Sequence, residues 1–240
     1  MTEALYHVDS YATEFDAVVD HVTDTGVVLN RTTFYPGGGG QPSDTGWLKI
    51  NDFRYRVTRV IGRGGLTVHE IQDNDITSGD LVNGVIDWER RYQLMRTHTA
   101  LHILCGVIWR DFGVQVTGGD MKPLEARMDF EMESMSSDFA EEVEKLINRE
   151  VESERSVETR NLPRKEAFQI PDLIRTKINL LPEKINEVRI VDLVGLDLQA
   201  DGGTHVANTR EVGYIRVVGH ESKGRINKRL RIALESADIG

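Results

Sequence analysis

The sequence has almost no cysteine and no long apolar run. Cys105 is the one cysteine among 240 residues, which excludes an intrachain disulfide and makes a reducing compartment the expected location. No stretch approaches the ~20 consecutive apolar residues of a membrane-spanning helix. The start of the chain, MTEALYHVDSYATEF, has neither the basic nor the apolar segment of a secretion signal. We therefore expect a cytoplasmic protein with no membrane association.

Positive charge is also scarce. The chain has 29 Lys and Arg against 39 Asp and Glu, a net charge of −10, which argues against a protein that coats nucleic acid along its whole surface. The deficit is uneven, because residues 1–88 hold 13 acidic and 6 basic side chains, whereas the last 25 residues hold 6 basic and 3 acidic ones. The segment ESKGRINKRLR is therefore either a local anion-binding surface or an ordinary pair of solvated strands.

The first 88 residues lack a helical hydrophobic period. They read as short strands separated by turn sequences such as DTG, PGGGGQPSDTG, GRGG and TSGD. The predicted strands are FDAVVDHV, GVVLNRTTFY, GWLKI, FRYRVTRVI, LTVHEI and LVNGVID. Five or six short strands without helices predict a small N-terminal β-barrel, residues 1–88.

The pattern changes after Trp88. Residues 89–112 place apolar side chains at spacings of three, four and seven, which predicts a helix of about six turns that ends at Gly113. The remaining sequence predicts at least five strands, an acidic helix over 137–149 and a short helix that opens at Pro163. We therefore expect an α+β fold, in which residues 89–240 form a two-layer α/β domain with helices on one face of a mostly antiparallel sheet.

The long helix carries the first candidate ligands. His98 and His102 are four residues apart, so both imidazoles leave the same helix face, as two ligands of one tetrahedral zinc do. Position 99 is Thr, which excludes the H-E-x-x-H zinc-protease motif. Cys105 shares this face but lies about 10 Å along the axis from His98, so we interpret it as a buried small apolar residue.

A second pair lies about a hundred residues further on, in LDLQADGGTHVANTREVG. Asp201 and His205 are separated by Gly202, Gly203 and Thr204, which makes a helix unfavourable and a tight loop favourable. Such a loop can turn both side chains toward one point. Together the two pairs supply four donors of the kinds that zinc accepts.

A glycine-rich segment, TTFYPGGGGQPSDTGW, covers residues 32–47. The amides of Gly37, Gly38, Gly39 and Gly40 could cradle a phosphate or the end of a nucleotide chain. Neither a P-loop nor a dinucleotide-binding turn fits, because no Lys-Ser or Lys-Thr and no helix follows. A loop of the barrel that contains β-bulges is the alternative interpretation.

In their order and spacing, FYPGGGGQPSDTG, LMRTHTALHIL and ADGGTHVANTREVG resemble the editing half of alanyl-tRNA synthetase. The length makes the chain similar to the free-standing alanyl-tRNA editing proteins, the AlaX family, and the glycine-rich N-terminal domain indicates the medium-length type. The resemblance covers nearly the whole chain. It implies a small β-barrel followed by an editing domain, with 1–88 and 89–240 as the two domains.

The resemblance also implies a reaction, a cofactor and a site. Family members hydrolyse the ester of tRNA(Ala) mischarged with serine, and the medium-length type also removes glycine; no further protein partner is implied. Their site is H-x-x-x-H plus C-x-x-x-H, onto which His98, His102 and His205 map as ligands of one Zn²⁺ per chain. Asp201 stands at the cysteine position, so it either binds zinc through oxygen or leaves three histidines and an open position.

The remaining assignments concern substrate recognition. A threonine on the strand after the first helix serves the family in selecting serine, and Thr117 stands in the matching place; Thr97 and Thr99 are interpreted as helix-surface residues. The amides of Gly202 and Gly203 are candidates for stabilising an oxyanion. We expect Gly37–Gly40 and the side chains of Arg229 and Arg231, which share one face of a strand, to contact tRNA.

Two other functions remain open at this point. A site that is fully ligated by four side chains would be structural, and the chain would then be a binding module without turnover. The chain could also be an esterase that acts on a small molecule, although the glycine-rich segment and the basic C-terminal strands favour a larger anionic substrate.

Overall fold

The computed structural model describes residues 1–175 and 185–235. Two compact units are present, Met1–Leu94 and Met95–Gly240. The division falls within the first helix, α1 (Trp88–Phe112), a few residues after the predicted boundary at Trp88. In the described part of the chain, no helix is both long and apolar enough to cross a lipid bilayer.

Before α1, the first unit is built mainly from strands, as its short segments separated by turn sequences predict. In chain order they are β1 (Glu3–Ala4), β2 (Glu14–Thr23), β3 (Gly26–Leu29), β4 (Arg31–Thr32), β5 (Gly46–Ile50), β6 (Phe53–Val57), β7 (Arg59–Arg63), β8 (Leu66–Glu70) and β9 (Leu81–Ile86). The short strands β1 and β4 pair in parallel. The other seven form one antiparallel sheet in the order β6-β5-β9-β2-β3-β8-β7.

This seven-stranded sheet is curled. The strands β6 and β7 stand at opposite ends of the row, yet Thr58 alone separates them in the chain. Because neighbouring Cα atoms are ~3.8 Å apart, the two ends of the sheet must meet at this residue. The buried side chains of Val27, Leu29, Phe34 and Leu48 belong to the apolar core of the unit. Full closure into a barrel stays a prediction.

The second unit combines helices with antiparallel strands. Its elements after α1 are β10 (Val116–Lys122), β11 (Glu125–Phe130), α2 (Ser137–Glu152), β12 (Val157–Pro163), α3 (Arg164–Ala167), β13 (Glu187–Leu193), β14 (Asp197–Ala200), β15 (Ile215–Gly224) and β16 (Asn227–Leu234). Gly113 ends α1 with φ +66°, and its amide donates to the carbonyl of Trp109 at 3.0 Å, as a glycine C-cap does.

Two sheets replace the single sheet that the sequence suggests. One has the order β10-β11-β16-β15 and the other β12-β13-β14, and every pairing in both is antiparallel. The predicted α+β class with mostly antiparallel strands is therefore confirmed. The short strand β14 was not among the predicted strands, and it precedes Asp201 directly.

Candidate metal centre

The helix α1 positions the first two side chains of the site. His98 and His102 lie one turn apart with ring centroids separated by 5.3 Å, and both are buried. Every residue from 94 to 108 is buried, so this helix is enclosed on all sides. The imidazoles therefore face protein, and burial rather than solvent sets their chemistry.

The hairpin β13–β14 and the loop after it deliver the other two side chains. The amide of Asp201 donates to the carbonyl of Arg189 on β13 at 3.1 Å, which extends the hairpin by one bond. The guanidinium of Arg189 donates through Nη1 to the carbonyls of Asp201 and Gly203 at 3.1 and 2.9 Å. Arg189 thus fixes the backbone of the loop, and the loop presents Asp201 and His205 to the helix.

The four predicted ligands converge on one point. One ligand atom from each of His98, His102, Asp201 and His205 lies within 4.8 Å of all the others. His205 Nε2 is 3.0 Å from Asp201 Oδ2, and His98 Nε2 is 3.5 Å from Asp201 Oδ1. Four ligands at about 2.0–2.2 Å around a tetrahedral zinc would be roughly 3.4 Å apart, so the donor set fits such an ion with small side-chain adjustments.

Outer contacts turn two of the imidazoles toward that point. His102 Nδ1 donates to Asp197 Oδ2 at 2.9 Å, and Asp197 is itself buried on β14. His205 Nδ1 lies 3.3 Å from the hydroxyl of Thr99 on α1. With Nδ1 engaged outside, each ring offers Nε2 to the centre, an arrangement typical of histidines that bind metals.

Asp197 is held in place by further polar contacts. Gln199 Nε2 donates to Asp197 Oδ2 at 2.6 Å, and Arg175 Nη2 lies 3.7 Å from Asp197 Oδ1. None of Asp197, Gln199, Arg175 or Arg189 was identified from the sequence. The alternation of Asp197 and Gln199 in DLQA was the one available signal, since it marks a strand with two polar residues on one face.

The electrostatics of the cluster favour a cation. Burial lowers the pKa of His98 to about 4, and burial together with nearby His98 lowers the pKa of His205 well below its ordinary value. Burial alone would raise the pKa of Asp201, but His98 and the hydrogen bond from His205 outweigh it and hold this pKa well below the ordinary range. At neutral pH His98, Asp201 and His205 are therefore deprotonated, as metal binding requires.

His102 differs from its neighbours. Burial acts to lower its pKa, but the hydrogen bond and charge of Asp197 outweigh burial, so that the pKa of His102 is raised. A carboxylate on the outer nitrogen makes the imidazole more basic and a stronger donor to a metal. The pairing with Asp197 therefore both orients the imidazole of His102 and raises its basicity.

Three nearby residues test the sequence interpretation. Cys105 is buried, lies outside the four-residue cluster and accepts a hydrogen bond from Gln199 Nε2 at 3.3 Å, which confirms its interpretation as a buried small residue. The interpretation of Thr97 and Thr99 as helix-surface residues is wrong, because both are fully buried. Thr97 Oγ1 accepts from the amide of Leu124 at 2.9 Å, so both hydroxyls join α1 to its surroundings.

The residues proposed for substrate selection and catalysis have definite positions. Thr117 lies exposed on β10, where its hydroxyl donates to Asn227 Oδ1 at 2.8 Å. The amide of Gly203 donates to Asp201 Oδ2 at 2.7 Å, so this oxyanion candidate is engaged within the loop. A Cβ added to Gly202 would meet open space. Both roles stay predictions.

The residues proposed for tRNA contact are equally well defined. Gly37–Gly40 all have positive φ, between +58° and +139°, and Gly38–Gly40 are exposed. Non-glycine side chains would strain this backbone, so the loop needs its glycines whatever it binds. On β16, Arg229 donates bidentately to Asp129, and Arg231 Nη2 lies 2.6 Å from Glu221 Oε1. The positive charge of both arginines is therefore balanced locally.

Comparison with known families matches both ends of the chain. The model for class II (A) tRNA synthetases matches residues 3–90. The model for the second additional domain of threonyl and alanyl tRNA synthetases matches residues 188–231, which include Asp201 and His205. Fold and site thus define a protein of the class that shares domains with aminoacyl-tRNA synthetases.

Individual relatives narrow this class. The chain is 40% identical to the alanyl-tRNA editing protein AlaX-M of Methanosarcina barkeri, with 98% of this chain and 99% of that protein covered. It is 40% identical to AlaX-M of Saccharolobus solfataricus, with 96% and 98% covered. It is also 38% identical to alanine–tRNA ligase of Pyrococcus furiosus, of which it covers 24%. The chain belongs to the family of alanyl-tRNA editing proteins of the AlaX-M type.

Proposed function

We propose that this protein is a hydrolase that cleaves the ester between a wrong amino acid, serine and also glycine, and tRNA(Ala). The observation that carries the proposal is the convergence of His98, His102, Asp201 and His205 within 4.8 Å. It is supported by the relatives, which are named alanyl-tRNA editing proteins and match this chain over nearly the whole of their length. The protein would thereby protect the fidelity of translation.

The proposed cofactor is one Zn²⁺ per chain, held by His98, His102 and His205, with Asp201 as a fourth oxygen ligand. Zinc in such a site acts as a Lewis acid and lowers the pKa of bound water toward ~7. Three nitrogen ligands and one carboxylate are a donor set that zinc accepts. In this arrangement Asp197 and Thr99 hold two of the imidazoles, and Arg189 holds the loop.

Other side chains and amides are proposed to act on the substrate. The amides of Gly202 and Gly203 would stabilise the oxyanion that forms when water adds to the ester carbonyl; the amide of Gly203 would have to exchange its bond to Asp201 for this. The hydroxyl of Thr117 would pair with the serine hydroxyl, because a site that hydrogen-bonds this group rejects alanine, which lacks it.

Binding of the tRNA is proposed to involve both units. The exposed amides of Gly38–Gly40 can approach a phosphate or the terminal adenosine closely. Arg229 and Arg231 would contribute after exchange of their carboxylate partners for phosphate. We further propose that residues 1–88 form a closed β-barrel domain and residues 89–240 the editing domain.

A deacylation assay with three substrates tests the proposal. Purified protein is incubated with Ser-, Gly- and Ala-tRNA(Ala), and release of the amino acid is followed. We expect release of serine and glycine and retention of alanine, about one equivalent of zinc per chain, and loss of both zinc and activity when the three histidines are replaced by Ala.

Each contrary outcome has a definite meaning. Full zinc content without deacylation of any substrate would identify a structural zinc site in a binding module. Hydrolysis of small esters but not of aminoacyl-tRNA would identify a small-molecule esterase. Less than half an equivalent of zinc, unchanged in the triple variant, would overturn the metal assignment.

A further inference from the structure

The basic side chains of residues 1–88 are concentrated on a short part of the seven-stranded sheet. Of the six basic residues in 1–88, five lie between positions 49 and 63, and Arg31 is the sixth. Only one acidic residue, Asp52, lies in the same interval, although this unit is acidic as a whole. The unit therefore combines a negative overall charge with one positive region.

Strand register places four side chains of this region on one face. Trp47 on β5 pairs directly with Arg56 on β6, and Lys49 pairs directly with Arg54. Directly opposed residues of antiparallel strands point to the same side of a sheet, as do residues two positions apart. Leu48 points to the other side, where it is fully buried in the core. We call Trp47, Lys49, Arg54 and Arg56 the β5–β6 patch.

Two guanidinium groups of the patch lie over the indole of Trp47. The Cζ atom of Arg54 is 4.1 Å from the ring centroid and that of Arg56 is 4.8 Å from it, within the range of cation–π contacts. A guanidinium that lies over an aromatic ring keeps the N–H donors in its plane available to a planar or tetrahedral oxyanion. The ring thus limits the rotamers of both arginines before any ligand binds.

The positive charge of the patch is largely uncompensated. Across the described residues, no carboxylate lies within ion-pair distance of Lys49 or Arg54, and Arg56 Nη2 approaches Asp87 only to 3.8 Å. Asp87 is the acidic neighbour of Arg56, whereas Glu14 and Asp16 on β2 lie beyond β9, two strands from β5, or roughly 10 Å away.

The C-terminal strands present the opposite situation. Arg229 Nε lies 2.6 Å from Asp129 Oδ1, and Arg231 Nη2 lies 2.6 Å from Glu221 Oε1. An arginine that is already paired must give up its carboxylate to bind phosphate, whereas Arg54 has no such partner to lose. Electrostatic attraction of a polyanion should therefore be stronger at the β5–β6 patch.

We propose that the β5–β6 patch is a binding site for the phosphodiester backbone of the tRNA. The inference rests on the proposed function, since it takes the polyanion to be the substrate tRNA. A guanidinium fork binds a phosphate through two parallel hydrogen bonds, and Lys49 adds a compact charge beside it. No base is read at this site, so the patch contributes affinity and not the choice among tRNAs.

The test compares salt-dependent binding of intact Ser-tRNA(Ala) to wild type and to the double variant R54Q/R56Q. Each phosphate contact contributes about one unit to the slope of log affinity against log salt. We expect the variant to lower this slope by about 1–2, to raise Kd and KM by about tenfold at low salt, and to leave kcat and zinc content unchanged.

Matched variants separate the patch from a general loss of positive charge. R31Q removes the one basic residue of 1–88 outside the region, and we expect a Kd within twofold of wild type. R229Q/R231Q removes two arginines that are already ion-paired, and we expect a smaller change in slope than for R54Q/R56Q. Should R54Q/R56Q fold poorly by circular dichroism, the single variant R54Q at an exposed position provides the same comparison, with an expected slope change of about 1.

Fluorescence of Trp47 supplies a second readout. Subtraction of the W47F signal isolates this indole from Trp88 and Trp109, and we expect tRNA to alter its emission. If R54Q/R56Q and R54Q leave the salt slope and Kd unchanged while serine is still released normally, the patch is not a tRNA-binding site. The proposed function would be unaffected by this result. A wild-type protein that binds tRNA through the patch but releases no amino acid would overturn the proposed function and leave the patch.

Discussion

Asp197 and His102 form a buried carboxylate–imidazole pair in which Nδ1 of the histidine donates to Oδ2 of the aspartate at 2.9 Å. The two residues are 95 positions apart in the chain, on β14 and α1. The carboxylate fixes the ring so that Nε2 faces His98, Asp201 and His205. Asp197, which lies outside the four-residue cluster, thus determines which ring nitrogen of His102 faces the cluster.

This pair yields the first prediction. Replacing Asp197 by Asn preserves the shape but removes the charge, and replacing it by Ala removes both. Because outer-shell partners of metal-binding histidines typically affect affinity 10–100-fold, we expect Asp197→Ala to raise the zinc dissociation constant by about that factor and Asp197→Asn to raise it less. Competition with a chromophoric chelator measures the constant.

Asp192 offers a matched control for this experiment. It lies on the neighbouring strand β13 and is not a member of the cluster. Its carboxylate is 3.2 Å from the guanidinium of Arg160, with which it forms an ion pair. Asp192→Asn should leave the zinc constant within twofold of wild type. An equal effect of the Asp192 and Asp197 variants would contradict a specific role of Asp197.

The second prediction concerns Asp201, which the sequence resemblance matches to the cysteine of the family motif. A thiolate is a softer donor than a carboxylate and binds zinc well. We expect Asp201→Cys to keep deacylation activity and to lose zinc to a chelator more slowly than wild type. The variant gives up the hydrogen bond that Asp201 accepts from the amide of Gly203, so a modest loss of stability should accompany it.

Asp201→Asn is the control for this substitution. The amide oxygen can still accept the bond from Gly203, but it lacks the negative charge, so we expect faster zinc loss than in wild type. If Asp201→Cys also releases zinc quickly, the alignment of Asp201 with the cysteine of the motif is wrong.

The third prediction concerns Thr117. If its hydroxyl pairs with the serine hydroxyl, Thr117→Val leaves that hydroxyl unpaired at a cost of about 1–3 kcal/mol. Hydrolysis of Ser-tRNA(Ala) should then fall about tenfold or more, while hydrolysis of Gly-tRNA(Ala) changes little. Asn227→Ala removes the present partner of Thr117 and should leave the ratio of the two rates unchanged. Equal losses on both substrates in Thr117→Val would assign the residue a structural role.

The fourth prediction concerns pH and His69, a fully buried residue of the first unit whose Nε2 lies 2.8 Å from the hydroxyl of Thr32. Burial lowers its pKa to about 4 from 6.5. As pH falls, the unfolded chain therefore takes up a proton at His69 before the folded chain does. The free energy of unfolding has its full value above about pH 6.5 and decreases as pH falls toward 4.

Urea unfolding at pH 7.5 and pH 5 measures this effect. From pH 7.5 to pH 5, His69 should lower the free energy of unfolding of the wild type by about 2 kcal/mol. In His69→Gln, the free energy of unfolding should fall by about 2 kcal/mol less over the same interval. A His69→Gln variant with the same pH dependence as wild type would disprove the prediction.

The sequence predicts the ligands better than their surroundings. His98 and His102 follow from helical spacing, and Asp201 and His205 follow from a glycine-containing loop, because both patterns are local. Asp197, Thr99 and Arg189 could not be predicted in this way, because their roles depend on how β13 and β14 meet the helix. The number of sheets was missed for the same reason, since strand pairing over long sequence separations leaves no local pattern.

The single-residue link at Thr58 has a consequence for self-association. The strands β6 and β7 are the outermost strands of the seven-stranded sheet, and outermost strands expose unpaired backbone groups that another chain can use to extend a sheet. Here β6 carries Arg54 and Arg56 within the strand, and β7 carries Arg59 and Arg63 at its two ends. Thr58 joins the two strands, and a second copy that approaches either of them meets two like charges. The same arginines that concentrate positive charge in this unit therefore also protect its sheet from aggregation.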